Sequence, residues 1–520
     1  MNTPVSSDVA IVGGGPVGMA LACELLRHGL TVRIFDKAAA TKQYSRAPIF
    51  WPRAQDALDL MGIHHLWDGV TSPMRRMNVK VYGKPAGRVE LGFGESAHPV
   101  AMLVGQDVSE AILDRHLTSL GNAVERSREI VDLDVRDDGG TLQVRAPNGE
   151  IECVEARWIV GCDGTQSIVR SRAAIGWEGR ALKGLKVPVA DATPTWTLPA
   201  GDGDAYVTLT PRGYFLAIPL PERWRVIVAV PDDTPRGEEP VTDLEGVAAL
   251  AAEALEGPVT LSDAPWVSVV RYGNYIAPTF RSGRALLAGD AAHSIAPLSG
   301  QGMNTGVQDA FNLGWKLAYV HKGWSDDALL DSYTDDRRPV AARLVRTTNR
   351  FFDRVLQPGP LQQRIVRVVA PLALRIGRVR RAIAGFYTET DVSYCDSPLN
   401  DSARGLVPAP GDHACGQERE PGQGVHREED HRELLRGETP AHIEPVRDEG
   451  LDDQRAGERV EPEERGELRH GAGRAVDPDE PAIAVDPGDL DPIGQPEEDH
   501  EIRRTDRGIQ EEEGPIRIGA

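Results

Sequence analysis

The strongest constraint on the fold is a segment near the start of the chain, which reads SDVAIVGGGPVGMALACELLRHGLTVRIFDK. Apolar residues over Asp8–Val12 predict a β-strand. A helix is predicted over about Pro16–His28, because apolar residues recur there at helical spacing and Gly29 supplies a stop signal. A second strand is predicted over Leu30–Phe35. This order of strand, glycine-rich turn, helix and strand predicts an α/β unit of the doubly wound kind.

Three glycines and one acid give this unit a predicted binding function. Gly13 would permit the tight turn, Gly15 would let the backbone approach a pyrophosphate, and Gly18 would allow the helix to pack closely on the strand. Asp36, directly after the second strand, could accept hydrogen bonds from ribose hydroxyls. Glycines alone often mark only a turn, but the complete set favours a dinucleotide site. It does not choose between NAD and FAD.

Two later segments also end a predicted strand in an acidic turn. The segment ARWIVGCDGTQSIVRSRAAIG predicts a strand over Arg157–Gly161, then Asp163 and a short helix carrying Arg170. The segment RALLAGDAAHSIAPLSGQGMN predicts a strand over Ala285–Leu287, followed by Asp290. Each could be an ordinary strand-ending turn. A long cofactor, however, needs a second strand end with a carboxylate for its hydroxyls and glycines for close backbone approach.

These three motifs, in this order, resemble the single-component FAD-dependent aromatic hydroxylases related to para-hydroxybenzoate hydroxylase and phenol hydroxylase. The resemblance covers about Val5–Asn400, and GDAAHSIAPLSGQGMNTGVQDAFNLGWKLA is close to the family pattern throughout. It implies an α/β fold (α+β overall) in which a Rossmann-like FAD-binding domain is interrupted by an antiparallel β-sheet substrate domain. C-terminal helices and a disordered acidic tail would follow.

The resemblance also implies residue roles. Asp290 would bond to the ribityl chain of FAD, and Asp163 would help hold FAD and receive the pyridine nucleotide. Met303 and Asn304 would lie near the pyrimidine edge of the ring. Ser299 departs from the family pattern, in which glycine is commoner at this position. The other matched cofactor positions are Arg46, Gln106, Gly300 and Gly302.

The implied reaction uses FAD, NADH or NADPH, and O2. The nicotinamide would bind transiently, because no second GxGxxG is present, and O2 would add at the flavin C4a carbon. The resulting hydroperoxide would hydroxylate a small phenolic or polycyclic aromatic compound. We expect His293 to be structural rather than a general base, and we expect no metal, since the sequence offers no HExxH or paired-carboxylate set. No protein residue is predicted to be catalytic, because the cofactor carries the chemistry.

The region 183–271 is predicted to form the substrate side. Its runs DAYVTLTP, GYFLAIPL and RWRVIVAV are alternating or β-branched and are bounded by Pro, Gly and Asp, which is typical of antiparallel strands. In the family such a sheet walls the substrate pocket. Each candidate aromatic on its own is better explained as plain core than as a substrate contact, because aromatic side chains pack cores by default. The candidates are Trp51, Tyr206, Tyr214, Phe215 and Trp224.

The predicted organisation has five segments. They are residues 1–182, the first part of the FAD-binding domain, with 72–100 contributing to the substrate side; 183–271, the substrate sheet; 272–340, the second part of the FAD-binding domain; 341–400, the C-terminal helices; and 401–520, a low-complexity tail. The basic helical region reads RRPVAARLVRTTNRFFDRVLQPGPLQQRIVRVVAPLALRIGRVRRAIAGF. It is expected to pack over the flavin domain rather than to lie on a membrane surface.

The tail differs in composition from the rest of the chain. It has 33 Asp and Glu against 15 Arg, so it carries −18 of the net charge of −21, and it contains no aromatic residue. Such a segment is expected to be disordered. An acidic interaction tail, an out-of-frame translation and a decayed domain remain open. The nearly neutral remainder gives no reason to expect a nucleic-acid partner.

Five scattered cysteines without a CxxC pair indicate a reducing compartment, and no apolar run is long enough to span a membrane. We therefore expect a cytoplasmic protein; its oligomeric state is not predicted. Two alternative functions stay open: another FAD oxidoreductase, such as a halogenase or a saturating reductase, and a flavin-binding protein inactivated by an aberrant C-terminus. The halogenase is disfavoured because no W-x-W-x-I-P signature is present.

Overall fold

The computed structural model describes residues 5–41, 47–92, 96–199, 201–232, 234, 242–356, 359–390, 392, 394 and 397–401. Its strands are β1 (Val5–Val12), β2 (Val32–Phe35), β3 (Ile49–Phe50), β4 (Ser72–Met74), β5 (Arg76–Val81), β6 (Lys84–Glu90), β7 (Ala101–Leu103), β8 (Val124–Glu125), β9 (Glu129–Arg136), β10 (Gly139–Arg145), β11 (Ile151–Gly161), β12 (Glu178–Thr195), β13 (Asp204–Thr210), β14 (Gly213–Pro219), β15 (Trp224–Pro231), β16 (Thr260–Ile276), β17 (Arg281–Ser282), β18 (Ala285–Leu287) and β19 (His293–Ser294). Its α-helices are α1 (Pro16–Arg27), α2 (Pro52–Leu60), α3 (Gln106–Ser119), α4 (Ile168–Arg172), α5 (Leu244–Leu255), α6 (Gly302–His321), α7 (Asp331–Phe351), α8 (Pro360–Ala373), α9 (Gly377–Thr388) and α10 (Pro398–Asp401).

The first sheet contains the three motif strands side by side. Its order is β17-β18-β11-β1-β2-β8, with β10 and β9 added beside β11. The strands β18, β11, β1, β2 and β8 run parallel to one another, whereas β17 and β10 pair antiparallel with β18 and β11. The predicted first helix and the strand over Ala285–Leu287 are confirmed. The strand predicted from Arg157 begins earlier, at Ile151, where it pairs with β10.

The second sheet has the order β19-β16-β12-β15-β14-β13-β5-β6. Its strand β12 starts at Glu178, five residues before the segment predicted to form the substrate sheet. The sheet also includes β5 and β6, which come from the region 72–100. The sheet is not purely antiparallel, because β5 and β13 are parallel. Parallel neighbours need a long crossover, and here the chain builds much of the first sheet between these two strands. Both sheets belong to one compact unit.

The two faces of the second sheet pack against different partners. Side chains alternate between the faces of a strand. One face carries Phe215 and Val228 and packs on α5. The opposite face carries Tyr214 and Ile227 and joins a cluster that contains Trp51 and residues of the C-terminal helices. This second face is therefore the one that adjoins the first sheet's loops.

Helix α7 spans Asp331–Phe351 and so runs across residue 341, the predicted start of the C-terminal helical segment. A π-helical turn over Phe352–Leu356 follows α7, and the pair α8 and α9 then packs beside β6. Within the described part of the chain, none of the helices is long and apolar enough to cross a membrane. The predicted disordered tail lies outside the described residues beyond Asp401, and the five segment boundaries remain predictions.

Candidate functional site

The three motifs meet at one edge of the first sheet. The Cys162 N–H donates to the Val12 carbonyl at 2.7 Å, and the Ala288 N–H donates to the Gly161 carbonyl at 2.9 Å. The carboxyl ends of β1, β11 and β18 therefore lie beside one another. In parallel sheets this is the edge at which ligands bind.

Two of the three N-terminal glycines are required by packing. Gly13 has φ +107°, and a Cβ there would lie 2.3 Å from the Cys162 carbonyl oxygen. A Cβ on Gly18 would lie 2.0 Å from the Gly13 carbonyl oxygen. Neither contact is possible for a real side chain, so these glycines let α1 and β11 approach the turn.

Gly15 differs, because a Cβ there would meet nothing within 4 Å. It is the residue that precedes α1, and no side chain caps that helix or places an acid in its first turn. Free N–H groups and the positive end of the helix dipole thus face open space. This arrangement suits a phosphate group.

Asp36 is tied to the same turn. Its Oδ2 accepts the Gly14 N–H at 2.7 Å, and its Oδ1 accepts the Ala38 N–H at 2.8 Å. The side chain is half-buried. A carboxylate has about four lone-pair sites, so both oxygens keep capacity for ribose hydroxyls.

Replacing Asp36 by alanine should weaken FAD binding by ~1.5–3 kcal/mol, because hydrogen bonds to a charged acceptor are lost. This corresponds to a roughly 10- to 100-fold higher Kd, measurable by quenching of flavin fluorescence as apoprotein is titrated. Asp138→Ala is a suitable control, because the Asp138 side chain is 88% exposed on a strand-connecting turn. Equal Kd values for the two variants would contradict a role for Asp36.

The late Gly-Asp turn is held against the first helix. Gly289 has φ +60°, and a Cβ on it would lie 3.0 Å from Val17. On α6, a Cβ at Gly306 would meet Val17 at 2.5 Å. The starts of α1 and α6 therefore lie close together, and the exposed Asp290 lies beside both.

A buried ionic network supports this turn from behind. Asp309 on α6 accepts the Gly289 N–H at 3.1 Å, lies 2.6 Å from His293 Nε2, and accepts Arg337 Nε–H of α7 at 2.7 Å. All three side chains are fully buried. Burial opposes ionisation, yet the charges of His293 and Arg337 lower the pKa of Asp309 below its ordinary value. His293 is thus paired with a buried carboxylate, and its structural role remains a prediction.

Arg170 links the two acidic motifs. Its guanidinium donates to the Ala291 carbonyl at 3.0 Å and to the Thr165 carbonyl at 2.6 Å, and it stacks over Trp177. Asp163 Oδ2 accepts the Ile168 N–H at 2.7 Å, whereas its buried Oδ1 has no hydrogen-bond partner. Burial raises the pKa of Asp163. An unpartnered carboxylate oxygen at this edge is available to a hydroxyl donor.

The glycine-rich loop before α6 is locked by Asn304. The Asn304 Oδ1 accepts the Trp51 N–H at 2.7 Å, and Nδ2 donates to the carbonyls of Ile49 and Gly300, both at 2.8 Å. The side chain is therefore fully used within the protein, so the predicted contact of Asn304 with the flavin would have to use its backbone. Gly300 takes φ +67° beside Ile49.

Ser299, the departure from the family pattern, has two roles in this loop. Its carbonyl accepts Trp51 Nε1–H at 3.0 Å, and its hydroxyl donates to Gln301 Oε1 at 2.5 Å. Gln301 in turn donates to the Phe386 carbonyl of α9 at 2.6 Å. The serine side chain thus connects the loop to the C-terminal helices.

Gln106 begins α3, and its Oε1 accepts the Ala47 N–H at 3.1 Å. It therefore holds the segment that follows Arg46. Arg46 itself lies outside the described residues. The roles of both residues toward a cofactor remain predictions.

The five candidate substrate aromatics fall on two sides of the second sheet. Tyr206, Phe215 and Trp224 pack in the cluster under α5. Trp51 and Tyr214 lie in the cluster on the opposite face, toward the glycine-rich loop. Only these two are brought near the candidate site, and all except Trp224 are buried.

Two further tyrosines join that face. The hydroxyl groups of Tyr214 and Tyr272 lie 3.3 Å apart, and Tyr387 of α9 packs its ring 5.6 Å from that of Trp51. Burial raises the pKa of Tyr272 to about 12 and also holds the pKa of Tyr214 well above its ordinary value. Both phenols are therefore neutral donors at physiological pH.

Sequence reasoning missed several residues of this site, namely Tyr272, Tyr387, Asp309, Tyr333 and Arg337. Tyr333 donates its hydroxyl to the Leu287 carbonyl at 2.8 Å and so holds the end of β18. The sequence held one weak signal for the residues of α6 and α7. A charged residue or a tyrosine within the apolar stripe of a helix is buried and therefore needs a buried partner.

The residues at this edge fit FAD. Gly15 leaves open space for a pyrophosphate, Asp163 Oδ1 is a buried acceptor without a partner, and the start of α6 carries no acid in its first turn. Among the described residues, no three His, Cys, Asp or Glu side chains lie together in a way that could hold a metal ion.

Comparison with known proteins agrees with this geometry. Residues 6–348 match the FAD binding domain family. The 6-methylpretetramide 4-monooxygenase of Streptomyces rimosus is 34% identical over 431 residues, covering 77% of this chain and 73% of that protein. Pentachlorophenol 4-monooxygenase of Sphingobium chlorophenolicum is 29% identical, covering 70% of this chain and 69% of its own.

A solved structure extends the similarity to three dimensions. The anhydrotetracycline hydroxylase of Streptomyces rimosus superposes with a TM-score of 0.64 at 32% identity, covering 75% of this chain and 77% of its own. The strand-end motifs and the sequence match thus lead to one assignment. The chain belongs to the FAD binding domain family and is one of its FAD-dependent aromatic monooxygenases.

Proposed function

We propose that the protein hydroxylates a phenolic compound with a polycyclic aromatic skeleton, bound between the second sheet and the glycine-rich loop. The observation that carries this proposal is the position of Trp51. Its backbone and indole bond to the loop at Asn304 and Ser299, while its ring packs with Tyr387. The sheet face that bears Tyr214 belongs to the same cluster. An aromatic substrate held there would lie next to the cofactor side.

The protein residues would bind, orient and shield the reactants. Bound FAD would supply the electron transfer from NADH or NADPH and the activation of O2. Asp290 and Asp163 would accept hydrogen bonds from hydroxyl groups at the strand ends. The buried aromatic face would exclude water, which protects the reaction from unproductive loss of its oxidising equivalents.

The polycyclic class is proposed because two similar proteins are named for substrates of the tetracycline type. Pentachlorophenol 4-monooxygenase, named for a single-ring phenol, is a less similar relative. The single-ring phenols are therefore the second candidate class. The deciding experiment measures substrate-stimulated NADH and NADPH oxidation with anhydrotetracycline, a naphthol, pentachlorophenol and p-nitrophenol.

With an active compound, 18O2 should place one labelled atom in the product as a new hydroxyl group. Mass spectrometry of the product after reaction in labelled water is the control. Label that enters only from water, or a product without added oxygen, would contradict hydroxylation. Stimulated oxidation by the single-ring phenols alone would overturn the polycyclic proposal but leave the hydroxylase assignment intact.

The two faces of the second sheet provide a matched test of substrate position. Tyr214→Phe should lower kcat/KM by about fivefold, because a neutral hydrogen bond from its hydroxyl to the substrate is worth about 1 kcal/mol. Tyr206→Phe is the control, because its hydroxyl donates to the Pro199 carbonyl on the α5 side. Steady-state kinetics should leave the Tyr206 variant unchanged. The reverse ranking would place the substrate on the α5 face.

A further inference from the structure

Helix α8 exposes an apolar stripe. Five large apolar side chains of α8, and a sixth in the residue just before α9, are each at least 51% exposed. They are Leu361, Ile365, Val368, Val369, Leu372 and Ile376. At about 100° per residue, the five on α8 fall within an arc of roughly 100°, and Ile376 follows in the turn after the helix. We call these six residues, with the arginines of α8 and α9, the basic apolar surface.

The stripe is not the face by which α8 packs on the protein. Val366 and Ala370 lie on the other side of the helix and pack against the cluster beside β6. The helix is therefore apolar on two opposite sides, and only one of them is covered. Contiguous exposed apolar surface of this kind usually marks an interaction site.

The charge around the stripe has one sign. Six arginines occur between Arg354 and Glu389, and this stretch contains no Asp or Glu. They are Arg364, Arg367, Arg375, Arg378, Arg380 and Arg381. Residues 1–400 together carry a net charge of −3, and without these six arginines the remainder carries −9, so the positive charge is concentrated here.

A cleft lies where the stripe ends. It has a volume of about 400 Å³ and lies between β6 and the turn that joins α8 to α9. Arg88, Arg375 and Arg380 line it together with Leu374, and Glu90 is its one acidic lining residue. Three guanidinium groups at the end of an apolar stripe suit an anionic group that is attached to an apolar one.

Two other occupants fit less well. In a symmetric dimer the same patch meets itself, and each set of six arginines would then face another. The acidic segment 402–520 supplies the opposite charge, but its sequence has no aromatic residue and no hydrophobic periodicity with which to cover the stripe. Only a partner with both anionic and apolar parts matches both features.

We propose that the basic apolar surface binds an anionic lipid bilayer. A helix with an apolar face and arginines beside it lies in the plane of a membrane interface, with its apolar side chains in the acyl boundary and its cations at the headgroups. The same helix pair carries Tyr387, which packs on Trp51 at the candidate substrate side. The proposal concerns the surface alone and does not depend on which substrate the enzyme takes.

Vesicle flotation of the full-length holoenzyme tests this. The flavin absorbance should float with vesicles of mixed phosphatidylcholine and phosphatidylglycerol and stay behind with phosphatidylcholine alone. The double variant Arg364→Ser/Arg367→Ser should lower the partition coefficient by about 25-fold, or about fivefold for each arginine removed. The triple variant Leu361→Gln/Val368→Gln/Leu372→Gln should abolish flotation, because it removes the inserted apolar area.

The controls change exposed side chains away from this surface. Arg145→Ser replaces an arginine of β10 that is 50% exposed, and Trp324→Gln replaces an apolar side chain, 66% exposed, in the turn that follows α6. Both variants should float as the parent does. No flotation of the parent, or flotation that the α8 variants leave unchanged, overturns the proposal. A third outcome also overturns it: the parent is a dimer in sedimentation velocity, the triple variant is a monomer, and neither the parent nor the variant binds vesicles.

Discussion

Asp309→Asn should release FAD and lower the free energy of unfolding by about 3–5 kcal/mol, the usual cost of breaking a buried ion pair. Arg337 would keep its charge in a fully buried position and lose its carboxylate partner. The amide that donates from Gly289 would also lose a charged acceptor, so the turn that carries Asp290 would no longer be held in place. Stability and cofactor retention should therefore fall together.

The measurement combines denaturant unfolding with the flavin content of the purified variant. Asp353→Asn is the matched control, because it breaks the exposed pair with Arg180, for which about 0–1 kcal/mol is expected. The double variant Asp309→Leu/Arg337→Met removes both charges and should be less destabilised than the sum of the single changes. An Asp309→Asn protein with parental stability and full FAD would contradict this account.

Gly18→Val should yield a protein without flavin and with impaired folding. Even the first carbon of the new side chain would lie 2.0 Å from the Gly13 carbonyl oxygen, so α1 would have to move away from β1. Overpacking of this kind costs typically about 1–3 kcal/mol or more. A shift of α1 would also remove its N-terminal N–H groups from the pyrophosphate position, so affinity for FAD should be lost as well.

Two other glycine variants separate folding from cofactor binding. Gly15→Ala meets no protein atom, so the apoprotein should remain folded while FAD binds more weakly. Gly121→Ala lies far along the chain at φ +76°, again without a nearby atom, and should cost about 1–3 kcal/mol of backbone strain without affecting FAD affinity. Circular dichroism and flavin titration distinguish the three. Full FAD occupancy in Gly18→Val would show that α1 can pack elsewhere.

Position on the second sheet shows where sequence reasoning reached its limit. Alternation along β14 already requires Tyr214 and Phe215 to point to opposite faces. It does not say which face adjoins the flavin side, because α5 and the glycine-rich loop offer two apolar partners that look equivalent in sequence. The structure assigns Tyr214 to the loop side and Phe215 to α5. The sequence also did not predict that β5 and β13 would pair in parallel, because strands far apart in the chain carry no local pattern that gives their relative direction.

The sequence by itself determined the local units of this protein: the strand, glycine turn and helix that begin with Val5, the acids that end three strands, and the family to which these motifs belong. Those features depend on backbone sterics and on spacings of a few residues, which any chain with this sequence must obey. Only the tertiary structure decided that Asp309 would take its partners from residues 16 positions before it and 28 positions after it. Long-range contacts of this kind are selected by the packing of the whole core, where each buried charge must find whichever partner the fold brings near.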